Sequence, residues 1–498
     1  MRFINSIKRI CYFILLITAG SFLFTANAQR RYFTGDNTSE DEFNKISKSA
    51  QRTTRGLESM PSSFSIKQFA PVPGDQGQHG TCVAWSTGYA ARTISYCIAH
   101  NITDQNKINA AAFSPSYLYY YVKSSGDNNC QLGAKIEPAL KVLSDTGDVL
   151  LSANIPDCIS ATNNTNNVAA KNYTIKAYSS ITNIFGRINK NEIIAIKKSI
   201  TDNNPIIFSL KCYSSLFNVG KDGVWKMSDN DTLISDHAVC IVGYDDNKFG
   251  GAFEVMNSWG PAWGNNGFFW LTYDQVIQYG SYALEMMDRE DAAGNISRGL
   301  DPPQLKGNID FVLVNDFGNE LGTMPVLRTA INANSSVVTD DSKADFSNYV
   351  LTDNYAAGTD FKIKFTTNAP AFVYIFSIDN NKVVSQLFPY PPDNVSAAIN
   401  STNATVYFPY NLKKHYILNG DADRDKICIL YSKTAIDLND LQTKILNSSE
   451  GIYEAIKGFF KNQIIPVKNI NFKNDQINFI TPAGEQQLVC VFVDMNHK

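Results

Sequence analysis

The chain has no excess of basic residues and, after its first 28 residues, no long apolar run. Its 498 residues include 44 Lys and Arg against 47 Asp and Glu, which gives a formal net charge of −3. Nucleic-acid-binding proteins rely on a basic surface, so this balance argues against a nucleic-acid partner. A membrane-spanning helix needs about 20 mainly apolar residues. We therefore expect no membrane span in the mature chain.

Apolar residues are nevertheless abundant. Hydrophobic types make up 44% of the chain and aromatic types 12%, whereas charged residues make up 18%. This composition can fill packed cores and excludes a globally disordered chain. At roughly 100–200 residues per domain, the length predicts two to four domains. We see no repeat of fixed period.

The first 28 residues have the pattern of a secretory signal peptide. Three basic residues precede an apolar run from Ile10 to Phe24, and Ala26-Asn27-Ala28 supplies small residues for cleavage. A membrane anchor is the alternative, but polar and small residues interrupt the run. We therefore expect residues 1–28 to be removed and the mature protein to be secreted, periplasmic or held at the cell surface.

The remaining sequence divides into four parts by composition. Residues 29–60 are polar, without an apolar period, and predict a flexible lead-in. Residues 61–288 alternate between helical and strand-like stretches, with more strands in the second half. Residues 289–307 include two consecutive prolines and are typical of a linker. Residues 308–498 carry short apolar runs between turn-forming residues and predict a separate, mainly β domain.

Cys82 lies at the start of a predicted helix. The stretch from Asp75 to Ser86 joins a glycine-containing turn to the helix predicted over Thr81–Ile98. A thiol at this position meets the positive end of the helix dipole and free backbone N–H groups, both of which favour the thiolate. The alternative is a structural cysteine packed at a helix start. This motif alone leaves both interpretations open.

Two further motifs contain a histidine and an asparagine. His237 opens an apolar run that ends at Gly243-Tyr244, at the edge of a predicted strand. Asn257 is followed by Ser-Trp-Gly and then by Trp-Gly-Asn-Asn-Gly, which places two of the five tryptophans of the chain in one short stretch. Taken singly, these patterns also fit a structural histidine and a tight glycine turn covered by aromatic rings.

Together, in the order Gln, Cys, His, Asn, the motifs resemble the papain and cathepsin family of cysteine peptidases over about residues 60–272. The resemblance implies an α+β fold with a helical half, a β-rich half and a cleft between them. It implies that Cys82 is the nucleophile, His237 its base, Asn257 the residue that orients this base, and Gln76 an oxyanion donor. It implies no cofactor and no metal.

The resemblance also implies weaker candidates for substrate contacts. Gly80 and Gly133 match glycines that line the family's cleft, Asp236 precedes the histidine, and Trp259 is expected to shield the contact between His237 and Asn257. Two positions depart from the family pattern, because His79 replaces a cysteine that forms a disulfide and Val83 replaces a tryptophan. The lead-in before residue 61 is also much shorter than the inhibitory propeptides of many relatives, so the control of activity is left without an explanation.

Nine cysteines are present, of which Cys11 belongs to the predicted signal peptide. Export permits disulfides among the other eight. If Cys82 is the catalytic thiol, seven remain, and at least one of these is unpaired. The spacing does not fix the pairing.

The sequence therefore predicts a secreted cysteine endopeptidase that acts on peptide or protein substrates. A catalytically silent binding protein with the same fold, or a transamidase or peptide ligase that uses the same acyl-enzyme, are the alternatives. For the C-terminal domain, substrate recruitment, attachment to a partner or the cell surface, and control of cleft access remain open. A calcium loop at Asp421, Asp423 and Asp425 is disfavoured, because the downstream Gly and Glu of such loops are missing.

Overall fold

The computed structural model describes residues 32–50, 60–153, 155, 164–288, 304–367, 369–379, 382–401, 404–409, 414–418, 425–482, 484 and 486–495. The predicted signal peptide, Cys158, most of the predicted linker, and Asp421 with Asp423 lie outside these residues. The interpretations that depend on them stay predictions. Within the described ranges, no helix is both long enough and apolar enough to cross a membrane.

The first part of the chain, residues 32–288, contains helices α1–α8 and strands β1–β7. Their bounds are α1 Glu40–Asn44, β1 Ser63–Ser65, α2 (the consecutive stretches Cys82–Ala84, Trp85–Arg92 and Thr93–Ala99), α3 Gln105–Ala110, α4 Pro115–Val122, α5 Ile136–Asp145, α6 Asn164–Ala170, β2 Ile175–Ser180, α7 Lys190–Thr201, β3 Ile206–Tyr213, β4 Leu233–Asp245, β5 Ala252–Met256, β6 Phe268–Thr272, α8 Tyr273–Tyr279 and β7 Gly280–Asp288. The helix predicted over Thr81–Ile98 is confirmed as α2, whose middle stretch is π-helical.

One antiparallel sheet forms the β-rich half of this part. Its strands lie in the order β2-β7-β3-β4-β5-β6, and β1 pairs with β4. Val83 and Ile94 of α2 share one buried core with Val239 of β4 and Val255 of β5. The helical half therefore packs on the sheet through apolar side chains, with the start of α2 next to β4. This is the two-part architecture that the sequence predicts.

Residues 32–50, the N-terminal segment, are packed against this domain. Phe43 and Ile46 are 0% and 1% exposed, and Ser39 caps α1 by accepting from the Glu42 N–H. The prediction of a flexible lead-in is therefore wrong for residues 32–50. Buried side chains and backbone hydrogen bonds to neighbouring parts of the fold fix the segment. Because these partners lie elsewhere in the chain, no periodicity of the segment itself could indicate them.

The second part, residues 304–495, is mainly β as predicted. Its elements are β8 Lys306–Val314, β9 Glu320–Met324, β10 Val326–Ile331, β11 Val337–Val338, β12 Phe346–Leu351, β13 Asp360–Thr367, β14 Ala371–Ile378, β15 Val384–Phe388, β16 Ala398–Ile399, β17 Ala404–Phe408, β18 Tyr416–Ile417, β19 Asp425–Ser432, α9 Leu438–Leu446, α10 Ile452–Phe460, β20 Asn471–Phe472, β21 Ile477–Ile480 and β22 Leu488–Met495. Strand β8 begins two residues before the predicted start of this domain at 308.

These strands form two sheets that face each other. One sheet has the order β11-β10-β12-β22-β19-β14-β15, and the other has the order β17-β13-β8-β21-β20. Val373 of the first sheet and Ile363 of the second belong to the same buried core. On its other face the first sheet is covered by α9 and α10, whose Leu441 and Ile456 lie in a separate core. We call this part the sandwich.

The N-terminal segment also links the first part to the sandwich. The Ser49 N–H donates to Ser180 O at 2.8 Å, at the end of β2. One residue earlier, the Lys48 N–H donates to Asn394 O at 2.7 Å, and the Ser396 N–H of the sandwich donates to Lys48 O at 2.8 Å. The segment is thus hydrogen-bonded to the first part of the chain at Ser49 and to the sandwich at Lys48.

Candidate active site

Cys82 is the first residue of α2 and is 0% exposed. The backbone N–H groups of Val83 and Ala238 lie close to its sulfur and act to lower the pKa of the thiol. The first of these groups belongs to the helix N-terminus and the second to β4. The start of α2 packs against β4. Because Ala238 directly follows His237, this packing brings the thiol next to the histidine. The predicted position of Cys82 at a helix start is confirmed.

His237 is fixed by Asn257 from the neighbouring strand. Its Nε2 lies 2.8 Å from Asn257 Oδ1, and because a carbonyl oxygen only accepts, Nε2 carries the proton. The Ser258 N–H donates to the same oxygen at 2.8 Å, which orients the amide. His237 Nδ1 is buried and has no hydrogen-bond partner among the described residues. The ring thus has one anchored nitrogen and one that is free to exchange a proton.

Trp259 covers this pair. Its ring stacks on the His237 ring at a centroid distance of 4.7 Å and an interplanar angle of 16°. The predicted shielding role therefore agrees with its position. Trp259 also has a second partner, because its Nε1 donates to Phe33 O of the N-terminal segment at 2.8 Å.

Gln76 is tied to the residue after Asn257. The Ser258 hydroxyl donates to Gln76 Oε1 at 2.6 Å, and the Gln76 N–H donates to Ser258 O at 2.8 Å. Gln76 Nε2 donates to His79 O at 2.7 Å, so the amide group has a fixed orientation just before Cys82. The sequence did not indicate Ser258, which connects the two amide side chains by donating its hydroxyl to Gln76 and its backbone N–H to Asn257.

Gly80, Gly133 and Asp236 all contact the N-terminal segment. A Cβ atom on Gly35 would lie 2.3 Å from Gly80 O, and a Cβ atom on Gly133 would lie 2.5 Å from Gly35 O. On the opposite side, Asp236 O accepts from the Asp36 N–H at 3.4 Å. The predicted substrate-contact residues therefore lie on both walls of the cleft, and the segment occupies the space between them.

Residues 32–38 cross the cleft as an extended chain. The Ala134 N–H donates to Gly35 O and the Asn37 N–H donates to Ala134 O, each at 2.9 Å. Tyr32 stacks on Trp259 with a centroid distance of 5.0 Å. Backbone bonds on one wall and an aromatic contact on the other thus fix the chain across the entrance to Cys82.

Comparisons with known proteins identify the family of this part of the chain. Residues 60–287 match the model of the papain family cysteine proteases, and residues 354–435 match a domain of unknown function (DUF4384). Residues 60–287 are a papain-family domain. A peptidase C1-like protein of Acanthamoeba polyphaga mimivirus is 29% identical over 261 residues, which cover 49% of this chain and 78% of that protein. Cathepsin L of Sarcophaga peregrina is 25% identical over 225 residues, 44% of this chain and 61% of its own length.

A similar solved structure is that of xylellain, a cysteine protease from Xylella fastidiosa. It is 22% identical, has a TM-score of 0.41, and the match covers 52% of this chain and 97% of xylellain.

The closed cleft of the papain-family domain changes the proton affinities of its central groups. Burial and the negative charge of Asp36 raise the pKa of the Cys82 thiol, against the effect of the two nearby N–H groups. Burial lowers the pKa of His237 to about 4, against its hydrogen bond with Asn257. Burial and the charge of Asp36 also raise the pKa of Asp236 to about 6. With the segment in place, the thiol and imidazole are therefore both held neutral.

Asp36 is the main site residue that the sequence did not reveal. It is 5% exposed, and its carboxylate contacts the wall of the cleft. The surrounding polar stretch contains no motif, and the aromatic pair Tyr32-Phe33 is its only notable feature. A polar segment that folds onto a site carries no periodic signal, so only its contacts reveal it.

The disulfide pattern is partly defined. Cys130 is disulfide-bonded. The cysteines at 82, 97, 212, 240, 428 and 490 are free.

Proposed function

We propose that the chain is an exported cysteine endopeptidase with Cys82 as nucleophile. The observation that carries the proposal is the state of His237, whose Nε2 is bonded to Asn257 at 2.8 Å while its Nδ1 has no hydrogen-bond partner within the part of the chain that the structure describes. The next residue, Ala238, places its N–H close to the Cys82 sulfur. This is the arrangement a general base needs beside a thiol nucleophile.

In the proposed reaction the thiol proton passes to His237 and the Cys82 sulfur attacks the peptide carbonyl carbon. As the tetrahedral intermediate collapses, the carbon–nitrogen bond breaks and His237 gives its proton to the leaving amine. The remaining thioester is the acyl-enzyme. Water, deprotonated by His237, then attacks the acyl carbon, and the carbon–sulfur bond breaks to release the carboxylate product and restore the thiol.

The oxyanion is stabilised by groups that the fold already holds in place. The backbone N–H of Cys82 is at the N-terminus of α2, and Gln76 Nε2 comes from the turn before it. Gln76 is bonded to Ser258, so this donor does not have to reorganise during the reaction. Asn257 acts on His237 only, by keeping the ring in the orientation that directs Nδ1 to the proton transfer.

The N-terminal segment must leave the cleft before a substrate enters. Burial and the charge of Asp36 are the two largest causes that raise the thiol pKa. Displacement of residues 32–38 removes the charge of Asp36 and the part of the burial that the segment contributes, which favours a thiolate–imidazolium pair. The segment thus blocks and deactivates the site at the same time.

The signal-peptide pattern supports export, so the proposed site of action is outside the cytoplasm. Among the roles left open for the sandwich, control of cleft access has contacts to support it, since Asn394 and Ser396 bond the segment at Lys48.

A peptide library tests the proposal and both alternatives. The full chain carrying Gly35→Ala, which displaces the segment, is incubated with the library, and the products are identified by mass spectrometry. We expect cleavage that is lost in the double variant with Cys82→Ala. Joined peptides would indicate a ligase, and the absence of any product from a chain whose Cys82 is alkylated readily would contradict the peptidase and support the silent binding protein.

A further inference from the structure

A buried polar pocket beside His237 holds the side chain of Asp36. Ser209 Oγ donates to Asp36 Oδ2 at 2.5 Å, and the Tyr282 hydroxyl donates to the same oxygen at 2.6 Å. Both donors are 0% exposed. The other carboxylate oxygen accepts from the N–H and hydroxyl of Thr38 within the segment, at 3.0 and 2.6 Å. The wall of the pocket thus offers two hydroxyl donors to one acceptor oxygen.

The sheet fixes the position of this pocket relative to the reacting groups. Ser209 of β3 pairs with Ala238 of β4 on one side and with Tyr282 of β7 on the other. Ala238 follows His237, and its N–H lies close to the Cys82 sulfur. The pocket is therefore built from rigid strand positions next to the proposed catalytic pair, and it does not depend on a loop.

Any peptide that crosses the cleft along this path places a side chain at the pocket. The backbone of the segment at Asp36 bonds to Asp236 O on one wall, and the residues on either side of it bond to Ala134 on the other. These wall groups are available to a substrate once the segment has left. The hydroxyls of Ser209 and Tyr282 face the entering side chain whichever way the peptide runs.

The two hydroxyls determine which side chains fit. An aliphatic or aromatic side chain would displace water and leave both buried donors unpaired, at a cost of roughly 1–3 kcal/mol for each. An acceptor oxygen on a short side chain satisfies both, as Asp36 does. Sites that hydrogen-bond a substrate group discriminate strongly against analogues that lack it.

The charge of the pocket limits the preference for a carboxylate over an amide. Asp236 lies close enough to Asp36 for their charges to interact, and Lys211 is the cation that partly compensates Asp236. Ser281 also bonds the Asp236 carboxyl. A neutral amide oxygen accepts the same two hydroxyl bonds without this repulsion.

We propose that Ser209 and Tyr282 form a specificity pocket that selects substrates with aspartate or asparagine at this position over aliphatic and aromatic side chains. This inference rests on the proposed peptidase function for its meaning in catalysis. The binding preference itself requires no turnover, which allows the two to be tested separately.

The binding test uses the full chain with Gly35→Ala and synthetic peptides that cover residues 32–38. The native peptide and its Asp36→Asn and Asp36→Leu versions compete with iodoacetamide for Cys82, and alkylation is followed by mass spectrometry. We expect the Asp and Asn peptides to protect at similar concentrations and the Leu peptide to need at least about 10-fold more. Equal protection by the Leu peptide would overturn the proposal.

Two substitutions in the pocket and one control outside it test which residues bind the side chain. Tyr282→Phe and Ser209→Ala should each weaken protection by the Asp peptide about 10-fold and strengthen protection by the Leu peptide, because one buried donor fewer is then left unpaired. Tyr244→Phe is the matched control, because its hydroxyl donates to Pro61 O, away from the cleft. An unchanged ratio of Asp to Leu peptide in either pocket variant would overturn the proposal, and the serine variant keeps the test decisive if the tyrosine variant fails to fold.

Cleavage of a peptide library then separates the pocket from the peptidase. Products with Asp or Asn at the position next to the pocket support both the specificity pocket and the peptidase function. Cleavage without this preference overturns the pocket alone. Selective protection of Cys82 without any cleavage supports the pocket and overturns the peptidase.

Discussion

The walls of the cleft and the chain that lies between them are both buried, but they are held by different forces. Ala238 and Val239 on β4 are each 1% exposed and belong to the large apolar core. Asp36 and Thr38 of the segment are 5% and 6% exposed, and their contacts are hydrogen bonds. The walls are therefore stabilised by burial of apolar surface, whereas residues 32–38 are held mainly by polar bonds, with the stacking of Tyr32 on Trp259, to a surface that is already formed.

This difference explains how one region can be removed while the other remains. Loss of apolar packing in the walls would expose a core shared by α2 and the sheet, at roughly 2–5 kcal/mol for a single large truncation. Each hydrogen bond of the segment contributes only about 1 kcal/mol net, because water replaces it on opening. The segment can thus leave the cleft without unfolding the domain.

Gly35→Ala should produce the largest effect, by expelling the segment. The added Cβ atom would lie 2.3 Å from Gly80 O, a backbone atom that cannot turn aside, and the φ of Gly35 is +147°. Loss of the surrounding bonds is expected to cost about 3–4 kcal/mol, so iodoacetamide should modify Cys82 ~10²–10³-fold faster.

Gly126→Ala is the matched control for this comparison. Its φ of +87° is also unfavourable for alanine, but a Cβ atom there meets nothing within 4 Å. We expect the Cys82 alkylation rate to stay at the level of the unmodified chain. An equal rate in Gly35→Ala and the unmodified chain would show that the segment does not limit access.

Gln76→Ala, made in the chain that also carries Gly35→Ala, tests whether Gln76 on the cleft wall is an oxyanion donor. We expect kcat to fall by about 10²-fold or less with little change in KM, because one oxyanion donor is lost while the backbone donor remains. Gln76→Glu keeps an oxygen for the Ser258 hydroxyl but replaces the donor with a negative charge, so it should be at least as slow. Near-normal turnover in Gln76→Glu would remove Gln76 from the oxyanion role.

The stability of the closed domain should fall in acid because of His237. Its pKa is lowered by burial from 6.5 to about 4, so the unfolded chain binds a proton more readily between these values. This contribution to stability is present above about pH 6.5 and is lost as the pH falls towards 4. By linkage, the free energy of unfolding should drop by about 2 kcal/mol between pH 7 and pH 5 on account of this group.

His237→Gln isolates this effect, because Asp236, whose pKa is raised, acts in the opposite direction in both proteins. All five tryptophans lie between residues 85 and 270, so their fluorescence in denaturant reports on this domain. We expect the variant to lose about 2 kcal/mol less than the unmodified chain, and the difference to shrink in Gly35→Ala, where the segment no longer covers the ring. Equal losses in the closed proteins would contradict a buried neutral imidazole.

Asn394→Gly should have the smallest effect, because it weakens the far end of the segment. Asn394 has a φ of +46°, which glycine also accepts, so only its side-chain bonds to Ser47, Asn44 O and Ile46 O are lost. We expect Cys82 alkylation to rise about 3–5-fold. Ser335→Gly, at a φ of +65° in an exposed turn of the sandwich, should change nothing. Equal rates in both variants would show that the sandwich does not hold the segment.

The order and local context of the motifs were sufficient to find the candidate site. The local patterns placed Cys82 at a helix start, His237 at the opening of an apolar strand and Asn257 before a glycine-rich turn. Their catalytic roles came from the resemblance of the motifs, taken together, to a known family. The mainly β character of the sandwich followed from its short apolar runs. The structure brings these groups and Gln76 together through the pairing of β4 with β5 and the packing of α2 on the sheet.

The sequence by itself thus determined the domain type through apolar periodicity and turn chemistry, and it pointed to the four candidate catalytic residues through their resemblance, in order and local context, to the papain and cathepsin family. Only the tertiary structure decided that residues 32–38 fill the cleft, that Ser258 joins Gln76 to Asn257, and that Ser209 and Tyr282 bind Asp36. Each of these depends on hydrogen bonds between residues far apart in the chain. Their partners come together only when separate helices, strands and loops pack, and no local pattern of the sequence specifies which of these parts meet.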